Sequence, residues 1–84
     1  MKQFPELKPN QFALIRADIN TGHLLDIDDK LKLDDRQSVY SIFETLESAL
    51  LFAKEKVRSN NQIECIIYDA RNEFIQRVDV SNFK

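Results

Sequence analysis

One segment limits the fold of this chain more than any other. TLESALLFAKEKVRS, residues 45–59, carries the chain's clearest helical spacing. Leu46, Ala49, Leu50, Ala53 and Val57 make one apolar stripe. Glu47 in the first turn and Lys56 and Arg58 in the last complement the helix dipole. Thr45 is read as the N-cap, although Ser41 and Glu44 also fit a capping box with an earlier start. Asn60 and Asn61 predict the stop, because Asn tolerates a left-handed cap. With one helix available, the other apolar residues have to be buried against it, and they alternate with a period of two.

FALIRADI, residues 12–19, reads as a strand with Ala13, Ile15, Ala17 and Ile19 on one face. Phe12, Leu14, Arg16 and Asp18 fall on the other. Ala13 and Ala17 are assigned to the helix side, where they let the helix lie close, as Ala49 and Ala53 do from the helix. NTG, holding the only glycine (Gly22), marks a tight turn, and HLLDID resumes as the return strand of a hairpin. DDKLKLDDRQ is a polar connection. VYSIF, residues 39–43, reads as a short strand or as the helix start. QIECIIYD and FIQRVDV are two further strands about the turn ARNE, and Pro5 and Pro9 keep residues 1–11 an extended lead-in. The expected fold is α+β: a small antiparallel β-sheet of four to five strands in ββ(β)αββ order, one helix packed on one face, one domain over residues 1–84.

Charge narrows the function classes. Residues 1–42 hold six Lys+Arg against seven Asp+Glu, and residues 43–84 hold the same numbers. Neither half is a basic arm for nucleic acid. A single cysteine, Cys65, excludes an intramolecular disulfide. MKQFPELKPN lacks the apolar core of a signal peptide, and the longest apolar run, ALLFA, is too short to cross a bilayer. No membrane contact and a cytoplasmic location are expected.

Asp18 to Asp29, DINTGHLLDIDD, begins like a calcium loop, but Gly22 stands where a ligand belongs and His23 where the glycine belongs. A hairpin turn through Asn20 and Gly22 is the expectation, with weak divalent-ion contact by the acidic residues of 26–35 at most. No metal site and no cofactor are assigned. His23 has no partner spaced for zinc or for a catalytic triad. Cys65 shares a strand face with Ile63 and Ile67 and reads as core. The carboxylate pairs Asp28/Asp29, Asp34/Asp35 and Glu44/Glu47 lie in polar connections or on the wet side of the helix, where acid–base chemistry is not expected. No catalytic residues are assigned.

FETLESALLFAK, followed by IECIIYDARNEFI, resembles small bacterial domains of unknown function. In these a strand leads into a T-x-x-x-A-x-x-x-A helix, and a strand ending in Tyr-Asp turns back on itself. The similarity spans residues 39–78. It implies a ββαββ-type fold and no chemistry.

One helix cannot cover both faces of a sheet. Phe12 and Leu14, joined by Ile66 and Tyr68, are assigned to the uncovered outer face; Leu51, off the helix stripe, is a second and weaker contact. Phe4 and Leu7 of the lead-in, or Phe83, could instead fold over that face. The function expected is a non-enzymatic protein-interaction module, a homodimer or an accessory subunit. The alternative is a nucleic-acid-binding regulator using Arg16, Arg71, Arg77, Tyr68 and Phe74.

Overall fold

A computed structural model describes residues 4–34 and 36–83. Asp35 and the Phe83 side chain, named above, lie outside the described part. The elements are β1 (Phe12–Asp18), β2 (Leu24–Leu25), β3 (Ser41–Phe43), α1 (Leu46–Ser59), β4 (Ile63–Tyr68) and β5 (Phe74–Val78), followed by a 3-10 turn, Val80–Phe83. One helix packs against an open antiparallel sheet of five strands, the expected α+β arrangement. Residues 41–43 are strand rather than helix start. No helix among the described residues is long and apolar enough to cross a membrane.

The sheet is built around the β1–β4 pair, with β5 on the far side of β4. The other edge of β1 is shared: β2 pairs with Arg16 and Ala17, β3 with Phe12 to Leu14. The first turn is folded by Asp18, whose Oδ1 accepts from the backbone N–H groups of Asn20 and Thr21. Gly22 then takes φ +78°, a left-handed conformation open to glycine without strain. In the β4–β5 turn, Asp69 Oδ1 accepts from the N–H groups of Arg71 and Glu73, and Asn72 takes φ 63°.

Thr45 caps α1, its hydroxyl accepting from Ser48 N–H at 3.0 Å. The C-terminal end differs from expectation. Asn60 is extended (φ −149°), not left-handed. Its N–H bonds Lys56 O at 3.0 Å, and its side-chain oxygen accepts from Gln62 N–H, turning the chain directly into β4.

The face assignment of β1 is corrected by the register. Leu14 lies opposite Ile67 and Arg16 opposite Cys65, and directly opposed residues share a face. Leu14, Cys65 and Ile67 are fully buried in one core with Ala49, Ala53 and Val57 of the helix. Phe12, Leu14 and Arg16 therefore face the helix, and Ala13, Ile15 and Ala17 face away. The reversal is driven by volume. Leu14 is buried in one core with the small Ala49 and Ala53, and burying a leucine is worth about 1.5–3 kcal/mol.

Candidate interaction surface

Turning Leu14 inward also turns Arg16 inward, to 3% exposure. Such a burial is tolerated only with acceptors at hand. Nη2 donates to Ser41 Oγ at 2.8 Å and Nη1 to Asp26 O at 3.4 Å. Nε lies 3.5 Å from Asp29 Oδ1 without a hydrogen bond of its own among the described residues. Asp29 also holds Lys56 Nζ at 2.6 Å. The Phe52 ring lies under both cations, 5.1 Å from the Arg16 guanidinium carbon and 5.7 Å from Lys56 Nζ, and tilts against Phe43. Phe52, off the helix stripe, is thus part of a cation–aromatic layer. The group ties β1, β3, α1 and the 26–38 connection together, so its geometry is that of a structural clamp.

That connection is organised by Asp26, itself buried. One carboxylate oxygen accepts from the N–H groups of Asp28 and Lys30, and the other accepts from Gln37 Nε2 at 2.6 Å. The Gln37 bond, then the Lys30 backbone, hold this carboxyl below its ordinary value. Burial pushes the Cys65 thiol up to about 11, against an opposing pull from Arg16. A thiol so placed stays protonated and unreactive at neutral pH.

The face of the sheet turned away from the helix carries Ala13, Ile15 and Ala17 of β1 and Glu64, Ile66 and Tyr68 of β4. Ile15 and Ile66 stand opposite each other at its centre. Leu24 lies beside Ala17 and Ile42 beside Ala13, both exposed. The lead-in covers one end: the Phe4 ring meets Tyr40 at 5.5 Å and Tyr68 at 6.1 Å, both edge-on. Burial raises the Tyr40 phenol above its ordinary value. At the other end Arg77 is paired with Glu64, and its Nη2 lies 3.2 Å from Asp79. Around the β4–β5 turn a cleft of about 410 Å³ is lined by Pro9, Phe12, Asp69, Ala70, Arg71 and Ile75.

The residues assigned from sequence are therefore divided. Ile66 and Tyr68 lie on the outer face; Phe12 and Leu14 do not, because Leu14 is in the core and Phe12 packs against it. Leu51 is 60% exposed on the helix, with the sheet between it and the outer face. The cationic set is not gathered either. Arg16 is buried out of reach of a nucleic acid, Arg77 is engaged by two carboxylates, and Arg71 stands 3.9 Å from Glu73. Sequence reasoning missed Ile15, Leu24 and Ile42. Tyr40 and Ile42 flanking Ser41 were the readable signal, since that alternation puts both on one face.

Comparison of the chain with models of known protein families, with curated proteins and with solved structures finds no match.

Proposed function

We propose that the chain is a non-enzymatic interaction module that associates with a second copy of itself, outer sheet face to outer face. The observation that carries this reading is the apolar centre of that face, Ile15 against Ile66 with Leu24 and Ile42 exposed beside them, on the side the helix leaves open. A self-complementary patch also suits a two-fold contact, since each isoleucine then meets an equivalent apolar surface.

The test is sedimentation equilibrium on the wild type, Ile66→Glu and Leu51→Glu. The wild type and Leu51→Glu should associate, and Ile66→Glu should sediment as a monomer with its thermal transition retained. A wild type that is monomeric at every concentration, or an Ile66→Glu chain that associates as the wild type does, removes the reading.

A further inference from the structure

One segment already lies on the outer face, and it belongs to the chain itself. The Phe4 ring meets Tyr40 at 5.5 Å and Tyr68 at 6.1 Å, edge-on to both. These partners flank β1 on its two sides: Tyr68 ends β4, opposite Ala13, and Tyr40 directly precedes β3. The register that sets Leu14 against Ser41 brings Tyr40 beside Ile15. The Phe4 ring therefore bridges across β1 and borders the Ile15–Ile66 centre.

Among the described residues, this segment is fastened at one end. Lys8 O accepts from Gln11 N–H, and Gln11 Oε1 accepts from Lys8 N–H, both at 2.9 Å. Gln11 Nε2 then donates to Glu44 Oε2 at 2.7 Å, which ties the turn to the residue after β3. Beyond that turn, no hydrogen bond among the described residues holds residues 4–7 to the sheet. Phe4 and Leu7 are half-buried, and neither belongs to the core cluster. A segment held by ring contacts, without backbone bonds, opens at low cost.

We propose that residues 4–7 are a displaceable cover that limits self-association, an inference that rests on the face-to-face contact proposed above. Two sheets packed face to face lie about 10 Å apart, a gap filled by their own side chains. A backbone segment lying on the face takes up that gap. Ile15 and Ile66 meet a second copy once Phe4 has swung away from Tyr40 and Tyr68, pivoting at the Lys8–Gln11 turn. The molecules that associate are the open fraction, so the apparent affinity is the intrinsic one reduced by that fraction. Opening also frees both tyrosines, whose rings then extend the surface offered to the second copy.

Phe4→Ala tests the cover. The ring lies outside the core cluster, so the variant should keep its thermal transition. In sedimentation equilibrium, Phe4→Ala should associate about tenfold more tightly than the wild type, and Phe4→Ala/Ile66→Glu should be a monomer. A second readout does not depend on association. Tyr40 and Tyr68 are the only tyrosines and the chain has no tryptophan, so intrinsic fluorescence reports the covered site directly. At concentrations where the wild type is monomeric, acrylamide should quench Phe4→Ala more strongly than the wild type. An associating wild type matched or exceeded in affinity over Phe4→Ala overturns the cover and leaves the outer-face contact standing. Equal quenching of the two monomers overturns it as well, and so does a gain in association that survives Ile66→Glu. Association by neither chain removes the outer-face contact and the cover together.

Discussion

Arg16 and Asp26 hold polar groups inside the molecule, and each has a distinct energetic signature. Arg16→Ala removes the guanidinium from Ser41 and Asp26 O and uncovers the Phe52 ring, an expected loss of about 2–4 kcal/mol. Arg16→Met should cost clearly less. It refills the volume over Phe52, and Asp29 retains Lys56, so no buried charge is stranded. Urea midpoints of the two variants measure the difference. Asp26 gives a pH signature. Its folded carboxyl titrates below the ordinary 3.8, so its contribution to stability is complete above that value and disappears as pH falls through the lower folded one. Asp26→Asn should lower stability at neutral pH and reduce the acid slope below about pH 4, read as the urea midpoint against pH. The inward arginine is also what hid the orientation of β1 from the sequence. Both faces of FALIRADI carry apolar residues, and a charge normally decides such a tie towards solvent. Here the partners that reverse the decision, Ser41, Asp26 O and Asp29, come from segments distant in sequence and without periodicity.

Among the elements, α1 was the most legible because its signals are local. The stripe, the Thr45 cap and the terminal charges all lie within the segment they define. Thr45→Ala should cost about 1 kcal/mol, visible as a lowered melting temperature, with the helix otherwise intact. Ser48 Oγ, which also bonds Thr45 O, keeps the first turn from losing more. The hairpins were legible for the same reason: Asp18, Gly22 and Asn72 form their turns through bonds spanning a few residues. The C-terminal end of α1 was less so. Asparagine allows both the left-handed cap and a side-chain bond to the next turn, and Asn60 uses the second. The outer face was half legible. Ile66 and Tyr68 followed from the phase of β4, whereas Ile15 was lost with the phase of β1 and Leu24 with the brevity of β2.

At the scale of the whole molecule, the proposed outer-face contact rests on apolar burial. The face contact is apolar and should persist in high salt. The mass of the wild type across salt concentration checks this. The topology has a further consequence for how the chain comes into being. β1 and β4, the middle of the sheet, bracket everything from β2 through α1. A chain emerging from the ribosome has β1 available early, with small partners on one side and nothing on the other. Leu14 and its neighbours stay unsheltered until Ile63–Tyr68 has left the exit tunnel, and only then can the helix and both long strands close together in one cooperative step.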